Sequence, residues 1–265
     1  MRLARAHGLG NDYLVLELGP PLDAALVRAI CDRHTGVGAD GILEPRAGQD
    51  ADYGVRIWNP DGSVAEKSGN GLRIFAHWLV RHGAAPTFTV WTGHDTVGCE
   101  VVGATVRVDM GIARFEDPPG CVLQVDGAPV RVVPVDLGNP HCVRFVDQPL
   151  DALPWRAWGE VLERHPHFPH RTNVQVARVG PDGGLAIRIW ERGAGPTLAS
   201  GSSACAVTAA AVRTGRLAAG PHPVHMPGGV LHVTVEPGFR VYLQGPVEAV
   251  GVIEVDPAWL AARRG

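Results

Sequence analysis

Two stretches of the sequence put a hydroxyl at the start of a helix. In Trp190–Ala206 a strand-like end is followed by a glycine-rich loop and then an Ala/Val-rich run, 204–212, that reads as a buried helix. Ser200 stands at its N-cap position. The first turn of a helix offers free backbone N–H groups and the positive end of a dipole, so it can hold an anion. The earlier stretch repeats the design. Asn59-Pro60-Asp61-Gly62-Ser63 turns after a strand, and Ser68-Gly69-Asn70-Gly71 opens a second helix. The two serines lie about half the chain apart. This spacing suggests two similar halves, each offering a helix N-terminus to one ligand anion and one reactive side chain to each side of it. Two unrelated glycine-rich loops are the plainer alternative.

Other polar groups stand just outside strands. Asn11, Asn59, Asn139 with His141, and Asn173 are amides or imidazole at turns, and Glu191-Arg192 closes a strand. One asparagine at a turn is normally a turn former. Several together with an arginine could read carboxylates and ammonium groups, because arginine offers a carboxylate a two-pronged contact.

The elements that must position these residues are short. Residues 14–18, 55–58, 87–92, 98–102, 105–110, 130–136, 142–146, 172–179, 186–190, 224–226, 230–236 and 240–243 read as strands. Residues 21–34, 69–82 and 150–163 carry helical periodicity. The expected fold class is α/β (α+β), with many antiparallel strands. The domain expectation is 1–115, completed by 250–265, and 116–249, with a linker at Asp117-Pro118-Pro119-Gly120.

Composition narrows the function classes. The chain has 265 residues, 45 % of them hydrophobic, and a net charge of −3. Nothing points to nucleic acid or to a membrane surface as a partner. No apolar run reaches the roughly 18 residues of a membrane span, and Met1–Asp12 lacks the core of a signal peptide. The cysteines, Cys31, Cys99, Cys121, Cys142 and Cys205, are odd in number and show no CxxC spacing. That pattern argues for the cytoplasm and against a disulfide framework or zinc site. His165, His167 and His170 are separated by prolines with no cysteine or carboxylate spaced beside them, so solvated loop histidines and no metal are expected. Arg33–Gly41 is glycine-rich but lacks the Lys-Ser/Thr of a phosphate loop.

Taken together and in order, the motifs His7–Asp12, Asp32–Gly41, Asn59–Ser63, Ser68–Arg73, Gly138–Cys142, Glu191–Gly195 and Pro227–Gly229 resemble the diaminopimelate epimerase family over nearly the whole chain. The resemblance implies two pseudo-symmetric domains around a cleft, each a mixed, mostly antiparallel sheet wrapped around a central helix. It implies inversion of LL- to meso-diaminopimelate without a cofactor, in the supply of lysine and peptidoglycan precursors. A homodimer is the oligomeric expectation. The implied substrate-binding residues are Asn11, Asn59, Gly69, Asn70, Asn139, Asn173, Glu191, Arg192, Gly201 and Ser202. The implied catalytic positions are Ser68 and Ser200, with His141 and Glu191 as candidates to activate them.

At positions 68 and 200 the family carries cysteine, and here both are serine. Pro196 replaces a common Glu, and Gly41 stands where some members carry Gln. A thiol titrates near 8.5 and a hydroxyl nearer to water, so a serine base costs on the order of 7–10 kcal/mol more to form. A helix dipole worth at most about 2 kcal/mol does not recover that. Three readings stay open: an impaired epimerase, a relative running another racemisation or a dehydration, and an amino-acid-binding protein without chemistry.

Overall fold

A computed structural model describes residues 1–125 and 127–263. It divides into two compact units, Met1–Val108 with Gly245–Gly265, and Asp109–Gln244. The first comprises β1 (Arg2–Gly8), β2 (Asn11–Leu18), α1 (Ala24–Cys31), β3 (Ile42–Arg46), β4 (Tyr53–Trp58), α2 (Gly69–Arg81), β5 (Thr87–Trp91), β6 (Thr96–Val102) and the start of β7 (Thr105–Ile112). The second holds β8 (Arg114–Phe115), β9 (Cys121–Val125), β10 (Ala128–Asp136), β11 (Pro140–Phe145), α3 (Trp155–Glu163), β12 (Asn173–Val179), β13 (Leu185–Glu191), β14 (Gly195–Thr197), α4 (Gly201–Arg213), β15 (Gly220–Met226), β16 (Gly229–Val235) and most of β17 (Arg240–Pro246). The chain then returns to the first unit through β18 (Glu248–Glu254) and α5 (Pro257–Ala261).

Both units are mixed, mostly antiparallel sheets. In the first, β18 pairs with β1 and β1 with β2, all antiparallel. The β2–β3 and β4–β5 contacts are parallel, and β3–β4, β5–β6 and β6–β7 are antiparallel. In the second, β9, β8 and β11 all pair antiparallel with β10. The β11–β12 and β13–β15 contacts are parallel, and β12–β13, β15–β16 and β16–β17 are antiparallel. The α+β class expected from the sequence is therefore the class observed.

Each unit buries one 13-residue helix. Helix α2 packs on β1, β2 and β6, and α4 on β10, β11, β12, β13, β15 and β16. Ala204–Ala211 are all buried. Small side chains let six strands approach α4 closely, which is why an Ala-rich run makes a central helix here. The buried hydroxyl of Thr208 is satisfied within the helix by donating to the Ala204 carbonyl at 2.9 Å.

Two helices are shorter than the periodicity suggests. The 150–163 segment is a single turn at Leu150–Ala152 and then α3. Leu153 precedes Pro154, and the proline ring forces it into extended backbone. The 21–34 segment is helical only over Ala24–Cys31, capped by Asp23, whose Oδ1 accepts the Leu26 N–H at 2.8 Å. It stops because Val37 and Gly38 N–H groups turn back onto the Ile30 carbonyl. No helix among the described residues is long and apolar enough to cross a membrane.

Local backbone sets the candidate residues in place. Leu9 and Gly10 both take positive φ, 56° and 87°, and close a tight hairpin that opposes Asn11 to Gly8. Gly41 is required by packing rather than by φ. A Cβ there would lie 2.4 Å from the Trp58 carbonyl oxygen and 2.6 Å from Cε1 of Tyr13. Gly41→Ala should therefore destabilise the protein by about 1–3 kcal/mol, the usual cost of overpacking. Urea unfolding checks this; an unchanged midpoint would show that both the Trp58 backbone and the Tyr13 ring give way at little cost.

Candidate functional site

In the first unit, Ser68 is the N-cap of α2, with extended backbone (φ −138°, ψ 114°). Its Oγ accepts the Gly71 N–H at 3.0 Å and lies 3.0 Å from the Tyr13 hydroxyl. Gly71 is needed for that proximity, because a Cβ there would stand 3.2 Å from the same Oγ. Behind Ser68 runs a chain of polar side chains. Arg73, fully buried, donates to Asn70 Oδ1 at 2.5 Å and to the Gly69 carbonyl at 3.3 Å. Asn70 donates to Asn11 Oδ1 at 3.0 Å, and Asn11 donates to Asp40 Oδ2 at 2.8 Å. Arg33 bridges Asp40 and Asp12 at 2.6 and 2.7 Å, and Arg5 meets Asp12 at 2.6 Å. Burial pushes the Asp12 carboxyl up, but hydrogen bonds and charge from Arg33 and Arg5 outweigh it and hold it below the usual carboxylate range.

The structure thus brings Asn11, Gly69 and Asn70 to Ser68. Asn59 has a different setting. Its side chain donates to Ser63 Oγ at 2.9 Å, its N–H to the Ser63 carbonyl, and its carbonyl accepts from Gly62, while Ser63 bonds Asp61. That is a self-contained turn after β4.

In the second unit, Ser200 is the N-cap of α4 by backbone (φ −147°, ψ 124°), but its side chain makes no capping bond. Its Oγ instead lies 3.4 Å from Ser202 Oγ. His141 is fully buried on β11 and opposes Asn173 across the parallel pair with β12. Both of its ring nitrogens are engaged. Nδ1 accepts from Gln175 Nε2 at 3.1 Å, and Nε2 donates to Asn139 Oδ1 at 2.9 Å. Gln175 Nε2 also donates to Ser203 Oγ at 2.9 Å, tying β12 to α4. Burial, with help from the Arg192 charge, pushes the imidazole from 6.5 down to about 3.

The Glu191–Gly195 loop is held from beneath. Asn173 Oδ1 accepts the Arg192 N–H at 3.0 Å, and its Nδ2 donates to the Pro140 carbonyl at 3.0 Å. Glu163, nearly buried, accepts the Trp190 indole N–H at 2.7 Å and the Gly193 N–H at 2.8 Å. Burial raises the Glu163 carboxyl, but these bonds and Arg171 bring it below its ordinary range. Arg192 itself is exposed. Pro196 sits on β14 opposite Trp190.

Sequence reasoning did not single out Tyr13, Glu163 or Gln175. For Glu163 a signal existed: a carboxylate in the last turn of a helix opposes the dipole and needs other partners to remain there. Tyr13 and Gln175 carry no local mark, since their contacts are made 55 and 28–34 residues away.

A profile of the family described as "Diaminopimelate epimerase" matches residues 3–116 and 133–250. The diaminopimelate epimerase of Pelotomaculum thermopropionicum is 40 % identical over 276 residues, covering 94 % of this chain and 97 % of its own. That of Desulforudis audaxviator is 40 % identical over 284 residues, covering 99 % and 100 %. Among solved structures, a hydroxyproline epimerase from Agrobacterium vitis superposes with a TM-score of 0.75 at 16 % identity, covering 98 % of this chain and 94 % of its own. A phenazine biosynthesis protein from Bacillus anthracis gives 0.73 at 13 % identity, covering 97 % and 99 %. At such identities these two share the fold.

The buried neutral His141 makes stability depend on pH. Its folded pKa of about 3 lies below the unfolded value of 6.5. Between those values the unfolded chain binds more protons, so stability rises with pH across that window and falls as the solution is acidified through it. In His141→Asn the slope of unfolding free energy against pH between about 6.5 and 3 should drop by up to about one proton. Urea titrations at several pH values measure it; an identical slope in both proteins would place the proton uptake elsewhere.

Proposed function

Because the chain belongs to the diaminopimelate epimerase family, we propose that it is an amino-acid epimerase inverting an α-carbon of diaminopimelate, slowed by hydroxyls where its family uses thiols. The observation carrying this reading is the matched pair of helix starts, Ser68-Gly69 and Ser200-Gly201, each with a serine in extended backbone at its N-cap. Inversion requires a base on one face of the carbon and an acid on the other, and the two capping hydroxyls are the candidates for these roles. The α-carboxylate takes the backbone N–H groups at Gly201 and Ser202, which the Ser200 side chain leaves uncapped. Asn11 and Asn70 present amides held in place by Asp40 and Arg73. Arg192 meets a second carboxylate and Glu191 an ammonium. Asn139 and Asn173 act through others, on His141 and on the Arg192 loop. Asn59 closes its own turn.

The hydroxyls are not equivalent. Ser68 touches Tyr13 at 3.0 Å. A phenol is a much stronger acid than an aliphatic hydroxyl, so a tyrosine anion is a cheaper base than a serine alkoxide. In the proposed step the α-proton passes to Ser68 Oγ while the serine proton passes to the Tyr13 phenolate. The substrate becomes a carbanion, and serine and tyrosine end neutral. Ser200 has another serine, Ser202, as its neighbour, and a second hydroxyl of equal pKa gives no such help. His141 is neutral with both nitrogens taken, so its part is to hold Asn139, not to accept a proton.

The test is α-hydrogen exchange of diaminopimelate in deuterated water, followed by NMR. The parent should exchange well below the common enzyme rate of about 10 per second. Ser68→Cys with Ser200→Cys should raise exchange and epimerisation steeply, and either single change should yield little inversion. Tyr13→Phe should lower the parent's residual exchange. A parent that turns over near that rate and ignores Tyr13→Phe refutes the hydroxyl argument. A silent double mutant that still binds diaminopimelate would favour a pure binding role.

A further inference from the structure

Away from the candidate site, three unlike donors converge in the second unit. Glu116 follows β8, Cys121 begins β9, and His167 lies in the loop after α3. Their donor atoms all lie within 4.8 Å of one another. Cys121 Sγ is 3.9 Å from His167 Nε2, and Glu116 Oε1 is 3.5 Å from the same nitrogen. We propose that Glu116, Cys121 and His167 bind zinc or a similar borderline-soft divalent metal.

The geometry selects this reading over two others. In a nucleophilic Cys-His-Glu triad the carboxylate orients one ring nitrogen and the thiol uses the other. Here both face Nε2, so no relay across the ring is possible. A simple ion pair would explain Glu116 and His167 but not the thiol. A sulfur, an imidazole lone pair and a carboxylate oxygen meeting at one point suit a shared cation. With metal–ligand lengths of about 2.3 Å to sulfur and about 2.0–2.2 Å to nitrogen and oxygen, tetrahedral edges come to about 3.6 Å for S···N and about 3.4 Å for N···O. The observed 3.9 and 3.5 Å exceed these by a few tenths of an ångström. The Cys121–Glu116 separation, within 4.8 Å, would shorten by rotation of the exposed Glu116 side chain, and a water would complete the fourth position.

The loop around the imidazole is braced: the backbone N–H of His167 donates to His165 Nδ1 at 3.2 Å, and the His167 ring meets Phe168 edge-on at 4.8 Å. His165 Nε2 is turned to the Gln124 carbonyl at 3.3 Å. The side chains are 29 % exposed for His167 and 58 % for Glu116, so an ion has an entry path. The other cysteines, Cys31, Cys99, Cys142 and Cys205, are buried and offer no competing surface thiol. Sequence spacing hid the site, because its histidine lies 46 residues from its cysteine.

Cobalt(II) reports the ligands directly, since a thiolate ligand gives a charge-transfer band in the near ultraviolet. One equivalent of Co²⁺ added to the full chain should produce that band, and zinc should bleach it. Cys121→Ser should abolish it, while His167→Gln and Glu116→Gln should each weaken binding by at least about tenfold, since even outer-shell changes cost that much. Zinc should raise the thermal midpoint of the parent and leave Cys121→Ser unmoved. The proposal fails if no band appears at one equivalent, if the band survives Cys121→Ser, or if neither the His167 nor the Glu116 change affects affinity.

Discussion

A helix that begins inside a protein brings free N–H groups with it, and each must find an acceptor. The two central helices meet this demand differently. At α2 the Ser68 hydroxyl takes the Gly71 N–H, so the cap is made within the chain. At α4 the Ser200 side chain makes no such bond, and its hydroxyl turns to Ser202. The Ser68 side chain takes one donor at the α2 start, and the Ser200 side chain takes none at the α4 start. A protein built from two similar halves is thereby unequal at the point where the halves match most closely.

In each unit, polar side chains around the helix start hold it still. In the first unit the buried Arg73 guanidinium fixes Asn70, Asn70 fixes Asn11, and Asn11 leans on Asp40. Asp40 and Asp12 are tied by Arg33. The second unit does the same with uncharged groups. Asn139, His141, Gln175 and Ser203 form one line from β11 through β12 to α4. Burial keeps His141 neutral, and a neutral ring can accept on one nitrogen and donate on the other. An imidazolium would lose the bond from Gln175. The sheet registers set these lines, because His141 meets Asn173 across the parallel pair of β11 and β12.

What was legible in the sequence was local. The N-cap serines, the glycines after them, the mixed strand-and-helix class and the turn at Asn59–Ser63 all follow from short-range chemistry. The overlong reading of 150–163 ignored a local mark, Pro154, which separates the turn at Leu150 from α3. Long-range pairings were not legible. Tyr13 on Ser68, Gln175 on His141 and Glu163 beneath Gly193 join residues that only the folded sheets bring together. Gly41 shows how such a pairing can leave a trace. Its missing side chain makes room for the Tyr13 ring, which in turn reaches Ser68.

On the proposed function, a hydroxyl in place of a thiol removes a cheap base and leaves the proposed recognition groups in place. The account therefore separates binding from turnover, and calorimetric titration of the unaltered chain with diaminopimelate tests that separation most directly. It predicts saturable binding at one site per chain, weakened when Arg192 is changed to Ala. Absence of any binding heat from a folded protein, together with no ligand-induced rise in its thermal midpoint, would contradict it.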